Sequence, residues 1–264
     1  MPAHSFEQDH RVVKEPGVIR IATLGCSCTQ GCQGTDQTYP GLMEALLNAK
    51  QPKKVEVLNA GVGSYTSFQG LARLQHVVLK YHPDLLTVFF GWNDHWISPI
   101  PDKEVRIRSE RVTTVLNFTE QFRVYQFLNF VIRKKRPTLE EKSWTLRVLP
   151  EDYRDNLTAM IEMAEAHGIK VLLITAPHDL SHFEPNDNFP YPKEKLIPLH
   201  EQYNQVVRRV AEERRVPLLD LEKLVREGAG EPLLSGDGIH FNPAGCRFVA
   251  EALADKILSE ALSS

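Results

Sequence analysis

The fold turns on one stretch, VIRIATLGCSCTQG at residues 18–31. Its first eight residues form a short, mostly apolar run, and the residues after it are small and polar. That combination reads as a strand buried on both faces and closed by a tight turn. The same pattern recurs at 55–61 (VEVLNAG), 85–91 (LLTVFFG), 170–176 (KVLLITA) and 216–221 (VPLLDL). Helical patterns fill the intervals at 39–49, about 67–80, 151–167 with its terminating Gly168, and 198–214. A last helix opens at Asn242-Pro243, a cap followed by the proline that a first turn accepts. Continuous apolar strands alternating with helices predict an α/β fold, a parallel sheet covered on both faces. In such folds the working groups gather at the carboxyl ends of the strands.

The chain has 264 residues, 42% hydrophobic and 25% charged, enough for one large domain with a proper core and short for two. A net charge of -3 argues against a general nucleic-acid binder, which is usually strongly basic. No apolar run approaches the roughly 18 residues of a membrane span, so no integral membrane segment is expected. The first residues, MPAHSFEQDHRVVKEPG, lack the apolar core of a signal peptide. The cytoplasm is therefore the default address. A chain trimmed of an anchor would read the same and would work in the periplasm or outside the cell.

One stretch breaks the alternation. Residues 95–150 exceed what a single crossover needs and carry eleven Lys/Arg against six Asp/Glu. Within them TEQFRVYQFLNFVIRKKR, 119–136, spaces Phe122, Tyr125, Leu128 and Ile132 as a helix does, with Val124, Phe127 and Val131 widening the apolar face. The favoured reading is a helix packed on the sheet with a solvated basic end. A lid, a homodimer surface, or a contact for an anionic substrate or membrane surface are the sharper alternatives.

Four blocks sit at strand ends or before the last helix. Ser27 lies in Gly25-Cys26-Ser27-Cys28, where a strand-to-helix turn exposes a nucleophile beside helix N-terminal amides. A plain helix cap reads the same. Asn59-Ala60-Gly61-Val62-Gly63-Ser64 follows the second strand and suits a loop that presents backbone amides. Asn93, in Gly91-Trp92-Asn93-Asp94, is a neutral donor for a developing oxyanion or a partner for local backbone. Asp237 and His240 stand three apart, so the carboxylate can hold one ring nitrogen while the other takes a proton from a nucleophile.

Together, in this order and spacing, the blocks resemble the SGNH hydrolases, the GDSL lipase/esterase superfamily, from about Ile19 to Leu262. The resemblance implies a flavodoxin-like three-layer α/β/α sandwich with a five-stranded parallel sheet. It also implies ester hydrolysis or acyl transfer without a cofactor or metal. By that resemblance Ser27 is the nucleophile, His240 the base and Asp237 its orienting acid. Asn93, the Ser64 amide and the Ser27 amide are the oxyanion donors. Two positions depart from the pattern: Cys26 replaces the Asp of Gly-Asp-Ser, and Ser64 replaces a Gly. If residue 64 needs a positive φ, a serine there is strained.

Gly63, Tyr65, Trp92, His95, Trp96 and His178 sit beside these blocks and are candidate pocket residues, or equally rim core. They suggest a small-molecule ester with a short, acetyl-like acyl group, such as an acylated carbohydrate. An O-acyltransferase uses the same triad. A rival from another class is a non-catalytic, or redox or metal-binding, module built on Cys26, Cys28 and Cys32, with Cys246 as a candidate fourth partner. The C-x-C-x3-C spacing lacks the paired C-x2-C geometry of structural zinc sites.

Overall fold

Five strands pair in parallel in the order β2-β1-β3-β6-β7: β1 (Ile19–Gly25), β2 (Val55–Asn59), β3 (Leu85–Phe89), β6 (Lys170–Ile174) and β7 (Leu218–Leu219). The structure is a computed structural model that describes residues 10–31, 38–105, 144–181, 183–228 and 232–261. The expected helix at 119–136 and Cys32 lie outside the described residues.

The helices are α1 (Ser27–Gln30), α2 (Tyr39–Lys50), α3 (Ser67–His76), α4 (Pro150–Glu165), α5 (Lys193–Arg214), α6 (Leu221–Gly228) and α7 (Pro243–Lys256). α2 packs against α7, while α3, α4 and α5 pack in a row, so the sheet is flanked by two helical layers. β3 is buried along its whole length, which is why its sequence is apolar without alternation. Met43, Leu47, Leu58, Leu74, Leu172, Tyr203 and Leu253 are core residues drawn from both layers and the sheet between them. No helix among the described residues is long and apolar enough to cross a membrane.

β1 is flanked by β2 on one side and β3 on the other. The chain thus leaves β1 toward one edge and returns to its opposite side, and the crevice this opens at the carboxyl ends is where α/β sheets hold ligands. Ser27 sits just past that point.

Several boundaries differ from the sequence expectation. α3 stops at His76 because Val77 leaves helical angles, and a 3-10 turn at Val78–Tyr81 follows. α5 starts five residues before Pro198, which lies inside the helix. A proline in the second turn forfeits one amide bond, while buried Leu196, His200, Tyr203 and Val207 keep the helix on the sheet. The fifth strand pairs over Leu218–Leu219 alone, since Asp220 turns away to bind Arg208 and α6 begins at once. Residues on either side of 106–143 meet as a two-stranded antiparallel pair, β4 (Ile97–Ser98) with β5 (Thr145–Leu146).

Candidate active site

The turn after β1 is tight for steric reasons. A Cβ on Gly25 would lie 2.1 Å from Thr29 Oγ1 and 2.7 Å from the Phe89 carbonyl, so only glycine fits. Cys26 is the N-cap of α1, and its carbonyl accepts from the Thr29 and Gln30 amides. Ser27 is therefore the first helical residue, half-buried, on a turn fixed by backbone bonds.

The Ser27 hydroxyl lies 2.8 Å from His240 Nε2, and His240 Nδ1 lies 2.6 Å from Asp237 Oδ2. The carboxylate can only accept, so Nδ1 carries the proton and Nε2 accepts from Ser27. Asp237 Oδ1 also accepts from the Ile239 amide at 2.9 Å and the His240 amide at 3.0 Å. Its partial burial favours the neutral acid, but these amides and the His240 ring outweigh it and hold Asp237 below the usual carboxylate range. Its side chain remains 48% exposed, so this end of the relay is open to water. The turn is held from below: Gly238 adopts φ 70, its carbonyl accepts from Asp179 N at 2.9 Å, and an added Cβ would meet the Asp179 carbonyl. Asn242 caps α7 through the Gly245 amide, which fixes where His240 leaves the turn.

The second block folds back onto the first. Val62 N donates to the Gly25 carbonyl, Gly63 N to Gln30 Oε1, and Asn59 Nδ2 to the Gln30 carbonyl. A Cβ on Gly61 would come within 2.3 Å of Gln30 N, so this approach also needs glycine. Ser64 is exposed and has φ 64, in the left-handed region. A serine at this position is thus strained. Its carbonyl accepts from Arg147 Nη1 at 2.9 Å. Among the described residues, neither the Ser27 amide nor the Ser64 amide donates to a protein acceptor.

Asn93 is buried, with Nδ2 donating to the Tyr65 carbonyl at 2.9 Å. The carboxamide has a second N–H to give. Its neighbour Asp94 is the hub of the third block, and the sequence reading missed it. Asp94 Oδ1 accepts from the amide and hydroxyl of Ser67, and Oδ2 from the Gly91 amide. Asn156 on α4 donates to the Ser67 hydroxyl in turn. Burial pushes the Asp94 carboxyl up to about 6, against the pull of those donors. An acid beside a candidate site residue, in an otherwise apolar and aromatic block, was the available signal.

The pocket candidates divide. Trp92 and His95 are only 2% and 1% exposed and stand in the core, in line with the second of the two readings offered for them. Trp92 stacks on His200 at 3.9 Å, and His95 Nε2 lies 2.9 Å from His200 Nδ1. His200 Nε2 donates to the Ala176 carbonyl, which leaves Nδ1 to accept from His95. Burial drives both imidazoles to the neutral form, His95 down to about 3. α5 brought His200 to this place, and nothing local in its sequence marked it. Gly63, Tyr65, Trp96 and His178 remain partly exposed around the blocks. Cys26 and Cys28 are buried and Cys246 is half-buried. Among the described residues no group of three or more His, Cys, Asp or Glu side chains is arranged to hold a metal ion.

A strand-end serine relayed through histidine to a carboxylate is the arrangement of an acyl-transfer nucleophile. The family model described as GDSL-like Lipase/Acylhydrolase family matches residues 23–248. The chain is 25% identical over 260 residues to YqeF, an uncharacterised lipoprotein of Bacillus subtilis (strain 168), covering 90% of this chain and 89% of that one. The fold is shared with a lipase/acylhydrolase from Enterococcus faecalis at TM-score 0.62 and 21% identity, covering 91% of this chain and 96% of that one. It is shared as well with the acetyl xylan esterase AlAXEase at TM-score 0.57 and 21% identity, over 90% of this chain and 100% of that one. The family match spans most of the sequence and all four blocks, and the chain belongs to the GDSL-like lipase/acylhydrolase family, the SGNH hydrolases.

Proposed function

We propose that the protein is a serine esterase that cleaves short, acetyl-like acyl groups from small esters such as acylated carbohydrates. The observation that carries this is the continuous relay Ser27–His240–Asp237 beside two unspent backbone amides. His240 Nε2 takes the Ser27 proton as the hydroxyl attacks the ester carbonyl. The oxyanion accepts from the Ser27 and Ser64 amides and from the remaining N–H of Asn93. His240 then protonates the leaving alcohol. Water, deprotonated by the same nitrogen, releases the acid from the acyl-enzyme. Asp237 keeps the ring in the required tautomer and stabilises the imidazolium. The half-exposed Asp237 and the core position of Trp92 and His95 favour a shallow site over a deep acyl tunnel, and AlAXEase, an acetyl xylan esterase of the same fold, points the same way. The lipoprotein name of the Bacillus relative favours work outside the cytoplasm over the default address.

The test is hydrolysis of p-nitrophenyl acetate, butyrate and octanoate by the wild type and Ser27→Ala. Turnover should be highest on acetate and drop at least about a thousandfold in the variant. Activity that survives Ser27→Ala removes the triad assignment, and a preference for octanoate removes the short-acyl assignment.

A further inference from the structure

Ser64 poses a problem of restraint. A serine in the left-handed region tends to relax to negative φ, and that rotation swings the peptide planes on either side of it. Within its own loop the opposing bond is Tyr65 N to the Val62 carbonyl at 3.2 Å. The shorter restraint comes from Arg147, 83 residues away, whose Nη1 reaches the Ser64 carbonyl at 2.9 Å.

Arg147 is itself immobilised. Its Nε and Nη2 bind the two oxygens of Asp102 at 3.2 and 3.0 Å, and Nη2 also reaches Gln69 Oε1 at 3.1 Å. Its guanidinium lies over the Trp96 ring at 5.7 Å. Asp102 accepts from the Thr66 hydroxyl, and Gln69 accepts from the Thr66 amide, so both partners belong to the cap of α3. The Arg147 backbone is fixed too, its amide donating to the Trp96 carbonyl and its carbonyl accepting from Asp102 N. Four of the guanidinium's N–H groups are thereby engaged by protein, which leaves it a poor substrate ligand and a good strut. A planar fork is suited to this, because one rigid group reaches four acceptor atoms on three residues at once.

We propose that Arg147 is a positioning residue for the oxyanion site: anchored on Asp102, it holds the Ser64 carbonyl and so keeps Ser64 in the left-handed conformation that presents its amide. This rests on the proposed function, in which that amide is a donor. The stem of the inserted segment is then part of the catalytic apparatus, since the β4–β5 pair carries Arg147 to the loop.

The test is a cycle on p-nitrophenyl acetate: wild type, Arg147→Ala, Arg147→Lys, Ser64→Gly and the two double variants. Arg147→Ala should lower kcat about 10- to 100-fold with KM changed less than about threefold, as expected when a transition-state donor is displaced. Glycine needs no restraint to adopt positive φ, so the same truncation in the Ser64→Gly background should cost about threefold or less. Arg147→Lys keeps the charge opposite Asp102 but loses the fork, and should behave like the alanine variant. It also supplies the ratio if Arg147→Ala does not fold. Equal losses in both backgrounds, or a loss confined to KM, overturn the proposal. Ser27→Ala separates the levels. If it is inactive and the cycle shows no coupling, the Arg147 role alone fails; if it retains turnover, the serine esterase reading falls and takes this one with it.

Discussion

The two ends of the sheet are both polar, and they are built to opposite rules. At the amino end Arg20 is 1% exposed inside a strand, yet its N–H groups reach Glu56 twice, the Val12 carbonyl and the Tyr81 carbonyl. Asp84 accepts from the Arg20 amide and from Lys14. Each of these charges has its counter-charge within reach. At the carboxyl end, among the described residues, the Ser27 and Ser64 amides have no protein acceptor, Ser64 is strained, and Asp94 is buried without an opposite charge in contact. Buried polarity therefore does not mark function in this protein. Under the proposed function unspent donors do, because they are what a ligand can still use.

The strongest way to break this contrast is to remove a donor at the carboxyl end. Asn93→Ala should reduce kcat on p-nitrophenyl acetate about 10²- to 10³-fold, the loss expected for one oxyanion donor, with KM nearly unchanged. Its melting temperature should move little, since among the described residues the side chain makes one protein hydrogen bond, to Tyr65. A variant with full kcat would mean that Asn93 is spent on the Tyr65 carbonyl and does nothing more.

At the amino end the same kind of deletion should act on stability alone. Glu56→Gln leaves the buried Arg20 without its counter-charge, at a cost of about 3 kcal/mol in urea unfolding, with kcat and KM unchanged. A comparable loss of kcat would show that the two ends are coupled through β1.

The sequence announced these ends unequally. The apolar runs marked all five strands because burial on both faces leaves a local signature. Ser27, Asn93, Asp237 and His240 stood out because each lies in a short block at a fixed place relative to a strand or helix. The partners of Arg20, Ser64 and Ser67 did not, since they lie 36, 83 and 27 residues away and local periodicity carries no information about them. Trp92 and His95 could be read either as pocket walls or as core for the same reason. Adjacency to a site block is local, but the stacking of His200 against Trp92 is settled by how α5 crosses the sheet.

Titration should separate the ends by sign. Burial raises Asp94 to about 6, above its value in the unfolded chain, so the folded state holds a proton that the unfolded state gives up between about pH 4 and 6. Its contribution is most favourable below pH 4 and falls by about 2–3 kcal/mol as pH rises past 6. Glu56 behaves oppositely. Burial raises it, but Arg20 and Lys54 lower it further, so it ends below its ordinary value. Its stabilisation is present above the ordinary glutamate range and is lost as pH falls through its folded value. Urea unfolding of wild type, Asp94→Asn and Glu56→Gln across pH 3.5–7.5, in about half-unit steps, gives both slopes by difference, because every other group cancels. A wild-type-minus-variant difference that does not change with pH at position 94 would show that Asp94 titrates alike in the folded and unfolded chain, and that burial does not raise it.

The smallest effect tests the strain itself. Ser64 and His82 share left-handed angles, φ 64 and φ 48, one at each end of the sheet. His82 is exposed and merely ends the 3-10 turn after α3. Glycine at either position relieves strain in the fold but adds freedom to the unfolded chain, and the two nearly cancel, leaving a gain of about 0.5–1 kcal/mol. His82→Gly should therefore stabilise the protein and leave kcat alone. Ser64→Gly should stabilise it by a similar amount and keep kcat within about threefold, because glycine presents the same amide without strain. A tenfold or larger loss of kcat in Ser64→Gly would mean that the side chain at residue 64, and not only its amide, is needed to hold the oxyanion site.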